Sequence, residues 1–284
     1  MLALDITPEE VTSGRMHPEH LQAAVQALSE DGVVVLNNVV DPQHLAVLRD
    51  RMLADVRKFI ERADAPYNFN TSNIQQDPPP IPPNLFRDVL LNDMVIAVTR
   101  AVLGPGVKNA FYSGNTALPS TLRQPVHADS GQLWPNLTVA TPPYGLVVNM
   151  GVVEMTPENG STELWPGTHR DTTISIHDDI KVPEVLLERW RQERPPFQPY
   201  VPLGSVLIRD LRLWHAGMPN RTPHPRPMIA MIHYCSWYST DKLRFPRGTE
   251  AFFEHPELTT HAEFVDTEID YIHAPQAYDF QPQT

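Results

Sequence analysis

The segment "QPVHADSGQLWP", residues 124–135, places an imidazole and a carboxylate two positions apart as His127-x-Asp129. In an extended strand, residues i and i+2 project to the same face, so both side chains can aim at one point. Two ligands on one metal, a salt bridge, or no special pairing all fit that spacing. A third group must decide, and it has to come from elsewhere in the chain. Cys235 is the single cysteine, so no internal disulfide can form and a reducing compartment is expected. Its apolar surroundings, "MIAMIHYCSWY", read as a buried strand and not as the setting of a nucleophile.

Of the 12 histidines, His17, His20 and His44 fall at helical starts and are expected to be solvated. His255, His261 and His273 lie in a polar tail region. His233 sits inside an apolar strand and reads as a core histidine, and His169 reads as a loop residue with a packing role. His215 is different. In "GSVLIRDLRLWHAGMPNRTPHPRPMIAMIHY" a strand delivers it to a turn, and Arg226 follows 11 residues later at the start of another strand. Two imidazoles and one carboxylate on one face leave about three positions of an octahedral metal open, the facial triad used by non-haem Fe(II) oxygenases. An arginine nearby adds a planar fork for a carboxylate, which lysine cannot reproduce.

The chain has 284 residues, 41% of them hydrophobic, with 22 Lys and Arg against 34 Asp and Glu, for a net charge of −12. One sizeable core is affordable. The acidic balance disfavours nucleic acid, which wants a basic face, and favours a neutral or cationic small molecule. No apolar run reaches the ~20 residues of a membrane span. "MLALDITPEE" lacks the features of a signal peptide, so a cytoplasmic location is expected. The 30 prolines are spread through the chain and mark ordered loops.

The first part of the sequence reads as helical. Pro18–Glu30 carries Leu21, Val25 and Leu28 on one face, and "GVVVLNNVV" follows as a strand. Asp41 can cap a helix that begins at Pro42, with Leu45, Leu48, Met52, Val56 and Ile60 as its stripe. Phe86 to Leu103 reads as one further helix. Short strand-like runs separated by turns then continue to about residue 240, with a helical insert around Pro183 to Gln192. Helices followed by many strands predict an α+β fold. A single domain over 1–284 is expected, its core a jelly roll over about residues 105–240 with N-terminal and flanking helices.

The HxD pair, a distal histidine about 86 residues later and the arginine beyond it resemble the phytanoyl-CoA dioxygenase family. So do "ENGSTELWPGTH" and "GSVLIRDLRLWHAGMPNRT". The resemblance covers about residues 25–240. Further motifs outside the triad, "NIQQDPP", "FYSGN" and "LWP", resemble antibiotic-tailoring members. The family implies a double-stranded β-helix (cupin-like) core, Fe(II), 2-oxoglutarate as cosubstrate and O2. Residue by residue, it implies His127, Asp129 and His215 as iron ligands and Arg226 as the partner of the distal carboxylate of 2-oxoglutarate. It also implies Gln124 and Thr162 as cosubstrate contacts. Some relatives carry a serine two residues past the arginine; this chain has Met228. Related halogenases lack the carboxylate that Asp129 supplies, so hydroxylation or another hydrogen-abstraction outcome is implied, with release of succinate and CO2.

Amides and aromatics flank the triad. Asn68, Asn70, Gln75 and Gln76 precede "DPPP"; Ser130, Gln132 and Trp134 follow Asp129; Trp237 follows the last core strand. They suit a small, polar, ring-shaped substrate such as an amino sugar or an alkaloid, or else a proline-rich lid whose amides satisfy its own backbone. Three alternatives stand beside this reading. An acyl-CoA hydroxylase would want a basic mouth for phosphates. A non-catalytic cupin-type binding protein needs neither the triad nor Arg226. A zinc hydrolase could share the three ligands but gives Arg226 no role. A homodimer is left open.

Overall fold

The computed structural model describes residues 1–280. Its strands are β1 (Leu2–Asp5), β2 (Val33–Asn37), β3 (Tyr67–Asn68), β4 (Asn70–Gln75), β5 (Lys108–Ala117), β6 (Gly145–Gly151), β7 (Glu163–Leu164), β8 (Val206–Asp210), β9 (His215–Ala216), β10 (Arg226–Tyr234), β11 (Leu243–Pro246), β12 (Thr259–Thr260) and β13 (Ala262–Val265). The helices are α1 (Pro8–Ser13), α2 (Pro18–Glu30), α3 (Pro42–Ile60), α4 (Arg87–Leu90), α5 (Asp93–Leu103) and α6 (Glu184–Glu193).

The large sheet runs β1-β2-β8-β6-β10-β5-β4-β3, with β12 added beside β5. Its central strands, from β2 to β4, pair antiparallel, and β1 joins the edge in parallel. The alternation of each strand assigns its two faces. Val206 and Ile208, Leu146, Val148 and Met150, and Ile229 and Met231 join the core under the helices. Arg209, Val147, Asn149, Arg226, Met228 and Ala230 point the other way, into a cavity. A second, smaller sheet faces them. It pairs β7 with β9, and single bridges extend it from His215 to His127, from His127 to Lys181 and from Leu164 to Phe197. Two facing sheets with helices packed outside make an α+β jelly roll.

The helices follow their caps. The Asp41 carboxylate accepts from Gln43 N at 2.8 Å, Pro42 opens α3, and Leu45, Leu48, Met52 and Val56 are buried. The stripe then turns to Phe59; Ile60, expected to continue it, is 37% exposed. In α2, Leu28 is buried and Leu21 packs against the core as expected, while Ala24 and Ala27 are buried in addition and Val25 is only half-buried. The single helix expected over residues 86–103 is two. The chain breaks at Leu91, and the Asn92 side chain caps α5 by accepting from Met94 N and Val95 N, while its amide donates to Val39 O at 2.7 Å. The large sheet also reaches beyond the stretch expected to form the β core. It takes β1 to β4 from residues 2–75, because β2 completes the edge of β8 and β4 the edge of β5.

Candidate metal and cosubstrate site

His127 and His215 face each other across the small sheet through paired backbone hydrogen bonds of 2.9 and 2.8 Å. Their rings lie 4.3 Å apart between centroids. Each ring is fixed by a backbone carbonyl two residues before it. His127 Nδ1 donates to Pro125 O at 2.8 Å, and His215 Nδ1 donates to Leu213 O at 3.0 Å. Both hydrogen bonds fix the tautomer, so both Nε2 atoms carry lone pairs turned towards the cavity. Asp129 Oδ1 lies 3.5 Å from His215 Nε2. One ligand atom from each of His127, Asp129 and His215 falls within 4.8 Å of the others, a spacing that can hold a metal ion.

Charge is tuned to that use. Burial above all, with His215 alongside, pushes His127 down to about 3, so its imidazole is neutral at pH 7. Burial works to raise the Asp129 carboxyl, but Arg209 and His215 outweigh it and hold the group well below the usual carboxylate range. Arg209, from β8 on the opposite sheet, donates Nη2 to Asp129 Oδ2 at 2.5 Å and Nε to Asn149 Oδ1 at 3.3 Å. One Asp129 oxygen is thereby committed and the other is left for a ligand bond. Arg209 is a partner that the sequence reading missed. Its only signal is the alternation of β8, which puts it on the face opposite Val206 and Ile208.

Arg226 opens β10 on the same inward face and is buried. Its Nη2 donates to Gly160 O at 2.6 Å and its Nε to Asn159 O at 3.4 Å, while Nη1 has no partner. Among the described residues no carboxylate answers its charge, and burial alone lowers its pKa to about 10. Gly160 has φ of +79°, and a Cβ there would stand 2.6 Å from Met218 O. The turn that aims the carbonyl at Arg226 therefore needs glycine.

The triad, Arg209 and Arg226 share the walls of a cavity of about 900 Å³. Gln124 and Thr162 also line it, and so does Met228. The Gln124 side chain ties Gly217 N, at 2.9 Å, to Asn68 O, at 3.4 Å. The residues expected at the substrate divide. Asn68, Gln75 and Ser130 reach the cavity. Asn70 does not: it binds Arg123 O and the amide and hydroxyl of Ser72, closing its own turn. Gln76 is buried on the other face of the strand between Met52 O and Thr116 Oγ1. Gln132 is buried between Arg212 and backbone carbonyls. Trp134 and Trp237 are 56% and 65% exposed and stand outside the cavity wall. Phe69, packed 4.6 Å from the His127 ring, and Tyr278, edge-on to Phe69, line the cavity without having been singled out.

The other histidines are accounted for locally. His20 donates to the buried Glu10 at 2.9 Å and His44 to Asp88 at 2.8 Å, so these two are paired and not merely solvated. His233 is buried, with Nδ1 hydrogen-bonded to Thr99 at 2.9 Å. His169 is buried against Ser29 O.

Comparisons with known proteins bear on the family and the fold. A relative named Dioxygenase af480, from Aspergillus fumigatus, is 26% identical over 149 residues, which is 52% of this chain and 44% of that protein's length. The chain thus spans less than half of that relative. Among solved structures, AviO1 from Streptomyces viridochromogenes superposes with a TM-score of 0.57 at 21% identity, covering 77% of this chain and 96% of that one. EctD from S. alaskensis, in a structure with 2-oxoglutarate and 5-hydroxyectoine, gives 0.57 at 19% identity over 80% and 79%. At such identities these structures speak for the fold. The model of the phytanoyl-CoA dioxygenase (PhyH) family matches residues 28–228, which contain both histidines, Asp129 and Arg226, and the chain belongs to that family.

Proposed function

We propose that this chain is an Fe(II)- and 2-oxoglutarate-dependent dioxygenase that oxidises a C–H bond of a small polar molecule and releases succinate and CO2. The observation that carries the proposal is Arg226. A buried guanidinium with an uncommitted Nη1 and no counter-charge is costly, and it shares a cavity with three metal-ligating side chains. A dicarboxylate that reaches from the metal to the arginine satisfies both. The donor set fits iron: two imidazoles and one carboxylate on one face leave adjacent positions open. His127, Asp129 and His215 would hold the iron, which would supply oxygen activation.

The residues of the chain do the rest. His127 and His215 present Nε2 because their Nδ1 protons are held by backbone carbonyls. Arg209 keeps Asp129 ionised and turned. Arg226 holds the far carboxylate, with Thr162 and Gln124 beside the same space. Phe69 and Tyr278 exclude water on the His127 side. The substrate is a ring-shaped metabolite of the amino-sugar or alkaloid kind, handled in a specialised pathway in the cytoplasm. Among the described residues no helix is long and apolar enough to cross a membrane. The test is Fe(II)-dependent conversion of 2-oxoglutarate to succinate in air. It is expected in the wild type and absent from His127→Ala; equal succinate formation in both proteins refutes the proposal.

A further inference from the structure

Besides Arg209, which pairs with Asp129, the inward face of the large sheet carries charge at two further places. Arg226 pairs in register with Ala117 on β5, and Ser113 pairs with Ala230. Four strand steps of ~3.4 Å put these positions about 14 Å apart. At the second, the Ser113 hydroxyl donates to Asp77, just beyond β4, and accepts from Gln75 Nε2 at 2.5 Å. All three residues wall the cavity. The other carboxylate there, Asp129, is matched by Arg209. Asp77 has no cation against it among the described residues, and burial pushes its carboxyl up to about 6. The amide oxygens of Asn68 and Asn73, which line the same cavity, have no hydrogen-bond partner among the described residues. Tyr234 and Tyr238, stacked at 5.0 Å, add aromatic faces.

A half-buried carboxylate held by one hydroxyl and no cation is incompletely matched, and the cation that answers it has to enter the cavity. The free acceptors around it call for a molecule rich in donors. We propose that Asp77, positioned by Ser113, binds a protonated amine of the substrate, so that the substrate is an aminated, hydroxylated ring. Its ammonium sits at the Asp77 end, its hydroxyls meet Asn68 and Asn73, and its reacting carbon faces His127, Asp129 and His215. The net charge of −12 favours entry of such a cation. This assignment rests on the oxygenase reading and names the substrate class for it.

The test is calorimetric titration of the anaerobic iron- and 2-oxoglutarate-loaded protein with glucosamine and its β-1,4 dimer, each against its N-acetylated form. The free amines are expected to bind about tenfold or more tightly than the acetylated forms, the scale of a lost charge-assisted hydrogen bond. Asp77→Asn is expected to erase that preference, and Ser113→Ala to reduce it. Equal affinity for the two forms, no binding of either amine, or a preference that survives in Asp77→Asn overturns the assignment. If Asp77→Asn does not fold, the wild-type comparison and Ser113→Ala still decide. The visible charge-transfer band of the same samples separates the two claims. Its absence from wild type refutes the oxygenase reading, whereas its presence without amine selectivity refutes only the role of Asp77.

Discussion

Replacing Arg226 by methionine removes the cavity's uncommitted guanidinium while keeping most of its volume. Two opposed effects act on the ligand-free protein. Gly160 O and Asn159 O lose their donors, which costs about 1–3 kcal/mol, and a buried charge without a counter-ion is removed, which offsets part of that. The ligand-free melting temperature should therefore move little. The effect on 2-oxoglutarate is one-sided. One or two charge-assisted hydrogen bonds from Nη1 are lost, about 3 kcal/mol, or roughly 100-fold in Kd. At a 2-oxoglutarate concentration of about 100 Kd, the wild type gains ~2.7 kcal/mol by mass action. That corresponds to a rise of about 5 °C for a chain of this size. At the same concentration the variant is only half saturated and gains ~0.4 kcal/mol, a shift below about 1 °C. Thermal unfolding of the anaerobic Fe(II) protein with and without 2-oxoglutarate reads both. Arg226→Lys keeps the charge but not the fork and should fall between. A full shift in Arg226→Met refutes the assignment of the arginine to the cosubstrate.

Three other outcomes follow from the same geometry. Arg209→Met frees Asp129 from its fixing partner, and Fe(II) affinity should fall by about 10- to 100-fold, measured by competition with a chelator; an unchanged affinity contradicts the positioning role. Gly160→Ala forces a Cβ against Met218 O in a left-handed turn, costing about 1–3 kcal/mol, and should weaken 2-oxoglutarate binding as the Gly160 carbonyl leaves Arg226. For Asp77 the folded pKa lies above the unfolded one. The native state thus holds its proton while the unfolded state releases it, and the group lowers stability as pH rises from about 4 to about 6. Asp77→Asn should therefore gain stability relative to the ligand-free wild type as pH rises through that window, up to about 3 kcal/mol at its upper end, and match it at pH 3; a variant that loses stability there contradicts an Asp77 with no cation beside it.

The HxD pair stood out as a candidate by its spacing, and the family resemblance tied His215 and Arg226 to it; the segment that carries the pair is a single bridge at His127 followed by a bend at Asp129, not the regular strand expected. The cavity walls were harder to read. Asn70 and Gln76 were grouped with Gln75 by composition, whereas the period of two in β4 sends Asn73, Gln75 and then Asp77 inward and buries Gln76 against α3. Trp134 and Trp237 follow informative motifs in sequence, but loop geometry turns them to solvent. Arg209 lay in a run that reads as an ordinary strand, and only its pairing across the cavity reveals its use. The break before Asn92 was hidden because apolar residues on both sides, Val89 to Leu91 and Met94 to Ile96, keep the helical pattern while the asparagine side chain caps the second half.

Anaerobic addition of 2-oxoglutarate to the Fe(II) protein, followed by visible absorption, tests the central claim most directly. A metal-to-ligand charge-transfer band that is lost in His215→Ala and weakened in Arg226→Met is the predicted result. Iron bound to His127, Asp129 and His215 with no such band at saturating 2-oxoglutarate would contradict the proposed function.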